Sequence, residues 1–190
     1  MKKHVVLAVL LMLFSFQVSA QERWAVEFRP QVNFPTQQPD IMDLKTGYGF
    51  EAMLSYKFMP HLEVYAGWGW NSFEVDEEIE FGDLEIDETG YSFGLRFIHP
   101  INSSMSYLVG LGGIYKHFEA ENSSGDITGD SDHELGFEIQ GGLVLELGRG
   151  FDLRPQVIYR SLSATADLGS LESEIDLQYL SIGVGIAKKF

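Results

Sequence analysis
The chain has 190 residues, no cysteine and a formal net charge of −15. Without thiols there is no disulfide framework, no thiol chemistry and no lipid-anchored cysteine, and the acidic balance disfavours nucleic acid and direct contact with anionic headgroups. Hydrophobic residues make up 45% of the chain, yet past residue 20 no apolar run is long enough for a membrane helix.

The first element is a leader. Lys2 and Lys3 precede the apolar run Val5 to Phe16, and Gln17-Val-Ser-Ala20 follows with small residues at the right spacing. This pattern predicts a signal peptide over residues 1–20, cleaved before Gln21, which leaves one domain over 21–190.

From there alternation with period two recurs and helical periodicity does not. The first segment, 24–34, sets Trp24, Val26, Phe28, Val32 and Phe34 against Glu27, Arg29, Gln31 and Asn33. The second, 46–58, sets Tyr48, Phe50, Leu54, Tyr56 and Phe58 against Gly49, Glu51, Ser55 and Lys57. In the third, 62–73, Leu62, Val64, Trp68 and Trp70 oppose Glu63, Tyr65, Gly67, Gly69 and Asn71. The fourth, 89–98, sets Tyr91, Phe93, Leu95 and Phe97 against Ser92, Gly94 and Arg96.

The fifth segment, 105–118, is less regular because Leu108 and Ile114 interrupt its polar face. In the sixth, 134–147, Leu135, Phe137, Ile139, Leu143, Leu145 and Leu147 oppose Glu134, Glu138, Gln140 and Glu146. The seventh, from 151, sets Phe151, Leu153, Val157 and Tyr159 against Asp152, Arg154, Gln156 and Arg160. The eighth, 179–190, alternates Leu180, Ile182, Val184 and Ile186 with small residues and ends on Phe190.

Eight segments of this length suit an antiparallel sheet closed into a barrel. Connections near residues 60, 100 and 149 are short, whereas those near 35–45, 74–88, 119–132 and 162–174 are long and polar. Short turns on one rim and long loops on the other is the pattern of a transmembrane barrel. A ligand-binding barrel in water would show the same period with its apolar face inward. Three features favour the membrane. Aromatics gather near segment ends (Trp24, Phe34, Tyr48, Phe58, Trp70, Tyr91, Tyr107, Tyr115, Phe151, Tyr159, Phe190), the polar face mixes Gly with Arg and Glu, and the last strand closes on an aromatic residue.

Glu27-Phe-Arg-Pro-Gln-Val-Asn-Phe34 is echoed by Asp152-Leu-Arg-Pro-Gln-Val-Ile-Tyr159. In an eight-stranded closure the two segments flank the last strand, whose Gly183 and Gly185 leave room for Arg29 and Arg154. The expected lumen cluster is Glu27, Arg29, Glu51, Arg96, Glu138, Glu146, Asp152 and Arg154, since buried charges require partners. Pro30 and Pro155 each remove a ladder donor, which predicts a bulge or local irregularity at each.

On these residues, and on the terminal Ile182-Gly-Val-Gly-Ile-Ala-Lys-Lys-Phe190, the chain resembles the small eight-stranded outer-membrane β-barrels: opacity-type antigens, Ail-like adhesins and the OmpA transmembrane domain. The resemblance spans the whole mature chain and is architectural. It implies an all-β, up-and-down transmembrane barrel in the bacterial outer membrane, with both termini periplasmic. Lys188 departs from the family's usual apolar position, which points to snorkelling at the periplasmic interface.

Three regions carry candidate chemistry. The stretch 74–88 interleaves apolar residues with nine carboxylates, Glu74, Asp76, Glu77, Glu78, Glu80, Asp83, Glu85, Asp87 and Glu88. It reads as two strands extended beyond the membrane into an acidic hairpin that binds divalent cations or a basic partner, adds a strand to another sheet edge, or merely stays solvated and keeps its own edge from pairing. Asp126, Asp130 and Asp132 offer oxygens without EF-hand spacing, so any Ca2+ affinity there would be weak, about millimolar. His117-Phe-Glu119 resembles the catalytic strand of a lipid A deacylase, but Glu119 stands where that family has its serine. The expectation is therefore a non-enzymatic monomeric surface barrel with acidic loops and no resident cofactor. A narrow ion-conducting channel and a lipid A-modifying enzyme are the alternatives.

Overall fold
The computed structural model describes residues 22–37, 44–75, 84–122, 127–167 and 172–190. The expected signal segment 1–20 lies outside them. The strands are β1 (Trp24–Gln37), β2 (Gly47–Met59), β3 (Leu62–Glu74), β4 (Leu84–Pro100), β5 (Met105–Asn122), β6 (Ile127–Ser131), β7 (Glu134–Gly148), β8 (Phe151–Asp167) and β9 (Glu172–Lys189).

Neighbouring strands pair antiparallel in chain order, and β1 pairs with β9 to close the ring. Closure leaves no free edge in the wall, which is what hydrocarbon demands of a spanning sheet. The seam ends where the chain does: Phe190 N–H donates to the Trp24 carbonyl at 2.9 Å. Short β6 pairs with β5 and β8 beyond the end of β7, so β6 and β7 form one wall position broken at Asp132 and His133. The barrel is eight-stranded with that one interruption.

Packing is inverted relative to a barrel in water. Along β1, Trp24, Val26 and Phe28 are 48%, 47% and 51% exposed, while Glu27 and Arg29 are each 1% exposed. The same alternation puts Phe93, Leu95, Leu111, Ile139, Val157, Ile182 and Ile186 on the outer surface. Only a nonpolar solvent makes such a surface favourable.

Glu22 and Phe190, the ends of the described chain, share a rim with three short turns, at residues 60–61, 101–104 and 149–150. In the last, Gly148, Arg149 and Gly150 all take positive φ (85°, 55° and 76°), a path that glycine adopts without a Cβ penalty. Lys188 donates to the Arg149 carbonyl at 2.5 Å and lies 4.6 Å from the Phe151 ring centroid, so its ammonium reaches the rim while its stem runs along the wall.

The opposite rim is taller than the segment lengths imply. β4 begins at Leu84 rather than 89, and β9 at Glu172 rather than 179. Backbone pairing continues through Glu74↔Glu85, Leu84↔Asn122 and Asp167↔Glu172, so parts of the stretches expected as loops at 119–132 and 162–174 are ladder. The irregularity expected at the two prolines is present, as skipped pairs rather than as a bulge. Pairing of Arg29 and Pro30 with β9, and of Arg154 and Pro155 with β7, is skipped, yet register on either side is unchanged. Each proline costs a missing donor, which the neighbouring pairs tolerate without slipping.

Leu95 sits on the outer face between Tyr91 and Phe97 and is 50% exposed. Leu95→Arg should destabilise the barrel by about 2–4 kcal/mol when unfolding is followed in lipid vesicles. A barrel facing water would tolerate the change within about 0.5 kcal/mol.

Candidate functional site
The lumen is filled by three tiers of paired polar side chains beneath an apolar cap. In the lowest tier Lys189 Nζ lies 3.0 Å from Asp152 Oδ1, and Asp152 Oδ2 lies 3.5 Å from Arg154 Nη2. Arg154 and Arg96 then grip the same two carboxylates. Their Nη1 atoms stand 3.1 Å from Glu27, and 3.3 and 3.4 Å from Glu63 respectively. Gln156 Nε2 donates to the other Glu27 oxygen at 2.9 Å. Because β8, β9 and β1 are adjacent, the echoed arginine and glutamate of two distant segments meet across one strand.

The middle tier centres on Glu51, which pairs with Arg29 and, at 2.7 Å, with Arg160. Arg160 Nε also donates to Glu138 Oε2 at 2.9 Å, and the Tyr65 hydroxyl donates to Glu138 Oε1 at 2.5 Å. Arg96 stacks 4.4 Å from the Tyr65 ring centroid, joining the two tiers. The upper tier is Glu88, paired with Lys116 and accepting from Tyr179 Oη at 2.7 Å and Asn71 Nδ2 at 2.9 Å. Above it Leu44, Phe73, Val75, Ile86, Ile114, Phe118, Leu162 and Leu177 pack with Tyr179 into an apolar cluster.

The buried charges nearly cancel. Five cations (Arg29, Arg96, Lys116, Arg154, Arg160) face six anions (Glu27, Glu51, Glu63, Glu88, Glu138, Asp152), and Lys189 at the rim supplies the sixth cation. An ion stripped of water and left unpaired costs several kcal/mol, so near-neutrality is a condition of folding here. Space for the long side chains comes from small residues opposite. A Cβ on Gly183 would stand 3.0 Å from Arg29 Cγ, and one on Gly185 would stand 2.5 Å from Glu27 Oε1. Gly185 thus makes room for Glu27 rather than for Arg154.

Of the residues expected in this cluster, Glu27, Arg29, Glu51, Arg96, Glu138, Asp152 and Arg154 lie in the lumen. Glu146 does not: its side chain is 53% exposed at the short-turn rim, 3.5 Å from Lys189. Its parity is inward, but its height is beyond the last paired tier. Glu88 moves the other way. Expected in the acidic hairpin, it is fully buried because Asn71↔Glu88 pairing carries β4 down into the barrel.

Glu63, Lys116 and Arg160 join the cluster as well. Each shares the inward parity of its strand. Lys116 was obscured because its companions Leu108, Ile114 and Phe118 are apolar, the last two belonging to the cap. In the acidic stretch, Glu74 and Glu85 face each other at the outer rim, and Asp87 accepts from Trp70 Nε1 at 2.8 Å. Asp76, Glu77, Glu78, Glu80, Asp83 and Asp126 lie outside the described residues. Asp130 and Asp132 are exposed.

Glu51→Gln keeps the shape of the side chain but removes the charge shared by Arg29 and Arg160. It should cost about 3 kcal/mol or more, read from the urea midpoint of the refolded barrel. Glu146→Gln, at the exposed rim, should stay within about 0.5 kcal/mol.

The family model described as "Outer membrane protein beta-barrel domain" matches residues 6–187. Among curated proteins no sequence matches the chain significantly. Among solved structures, the Neisserial surface protein A is 12% identical with a TM-score of 0.65, over 88% of this chain and 97% of that one. OprG from Pseudomonas aeruginosa is 11% identical with a TM-score of 0.62, over 88% and 95%. Ail of Yersinia pestis, solved with the heparin analogue sucrose octasulfate, is 15% identical with a TM-score of 0.51, over 88% and 99%. At these identities the likeness is one of fold, and it agrees with the inverted packing and ring closure described above. The chain belongs to the outer-membrane β-barrel domain family and resides in the bacterial outer membrane.

Proposed function
We propose that this protein is a non-enzymatic surface barrel whose closed cylinder holds acidic strands above the membrane for interaction or envelope integrity. The observation that carries this reading is the lumen itself. Charges paired side by side occupy its middle, and an apolar cluster packs above them toward its outer end. Eight strands enclose little more than side chains, so such a barrel acts as a rigid post. On the periplasmic side a cavity of about 260 Å³ opens among Lys57, Glu63, Glu146, Asp152, Arg154 and Lys189.

The exposed rim carries Glu74, Glu85, Asp130 and Asp132 among the described residues. Such a surface repels polyanions of the kind Ail was solved with and favours a partner with basic chemistry. With a net charge of −15 the same argument disfavours nucleic acid as a partner. The protein acts as a monomer in this reading, because its sheet is closed and leaves no edge for a second copy.

Planar-bilayer recording of refolded protein, restricted to material whose gel mobility shifts on boiling, tests this reading. A silent bilayer is the expected result. Reproducible conductance steps that change with Arg29→Ala or Arg154→Ala would instead establish the narrow-channel alternative. Lipid A from producing cells should be unmodified; a modification lost with His117→Ala would make the protein an enzyme.

A further inference from the structure
On the outer face of the wall, just beyond Tyr115, one cross-strand pair lies beside two neighbouring histidines. On β5, His117 and Glu119 are two residues apart and so face the same side. Register sets Glu119 opposite Asp130 of β6 and Lys116 opposite Glu134 of β7. His133 occupies the break between β6 and β7 and comes alongside His117. The rings of the two histidines are 4.2 Å apart, with His117 Nδ1 3.1 Å from His133 Nε2. The other nitrogen of His117, Nε2, is 3.1 Å from Glu119 Oε1. One ligand atom from each of His117, Glu119 and Asp130 lies within 4.8 Å of the other two.

We propose that His117, Glu119 and Asp130 bind a divalent transition ion of the zinc type at the outer rim, with His133 orienting His117. A neutral imidazole has one proton for its two contacts. When an ion takes Nε2, the proton resides on Nδ1, and Nδ1–H donates to His133 Nε2. That is how a metal-bound histidine is commonly held by its neighbours. The two carboxylates supply charge and oxygen, and water completes the coordination. The nitrogen ligand favours a borderline transition ion over Ca2+, which takes oxygen alone.

The framework is fixed from behind. The Phe118 amide donates to Ser131 Oγ at 2.8 Å, tying β5 to β6 at the level of the site. The side chains of His117 and Glu119 are 16% and 32% exposed, shielded from bulk water yet open to an ion. This arrangement is separate from the lumen and gives Asp130 a role different from that of a loose calcium ligand.

Zn2+ titrated by calorimetry into the tag-free barrel in detergent, near neutral pH, tests the site. One equivalent should bind. His117→Ala should weaken binding more than about 100-fold, and His133→Ala about 10–100-fold. His61→Ala and His99→Ala, on the opposite rim, should leave it unchanged, and Ca2+ should compete only at about millimolar concentration. Gel mobility on boiling confirms that each variant is folded. Absence of saturable Zn2+ binding by the folded barrel would overturn the proposal. So would binding that His117→Ala leaves intact, or displacement of Zn2+ by equimolar Ca2+.

Discussion

Hydrocarbon offers no hydrogen bonds, and this one constraint organises the molecule. Every peptide group in the wall must find its partner within the sheet, so β1 and β9 close on each other. Every side chain pointing outward must be apolar, so the polar half of each alternating strand turns inward. The interior of this barrel is therefore where its charges are, and the hydrophobic residues that would build the core of a protein in water form its surface instead.

A polar interior brings its own requirement. Charges removed from water must meet opposite charges at close range, and the lumen meets that demand by sharing: Glu27 between Arg96 and Arg154, Glu51 between Arg29 and Arg160. Shared partners make the tiers interdependent, because one substitution leaves more than one ion unpaired. The glycines of β9 belong to the same device, since the close approach of Glu27 and Arg29 depends on their missing Cβ atoms. The result is a cylinder whose interior is filled by interlocking ion pairs.

Beyond the membrane the constraint lifts, and the chain behaves differently. The ladders continue upward, but the wall position shared by β6 and β7 breaks, the outward faces become acidic, and histidines appear above the aromatic belt. Variation in chemistry is tolerated there because water solvates whatever the strands present.

The period-two pattern alone determined the class of fold, the eight wall strands and the parity of nearly every side chain, because alternation is a local property that one face of a strand cannot hide. It placed Glu27, Arg29, Glu51 and Arg96 inward without any structure. It misplaced Glu146 and Glu88, since parity says which face a residue takes but not how far along the barrel axis it stands. Height follows from register, and register follows from the pairing of β3 with β4 and of β8 with β9. Partnerships were likewise beyond the sequence. Arg154 meets Glu27 across 127 positions of chain, and His117 meets His133 only because β5, β6 and β7 converge at a break in one wall position. The first contact arises from ring closure and the second from the register of neighbouring strands, which only the tertiary structure decides.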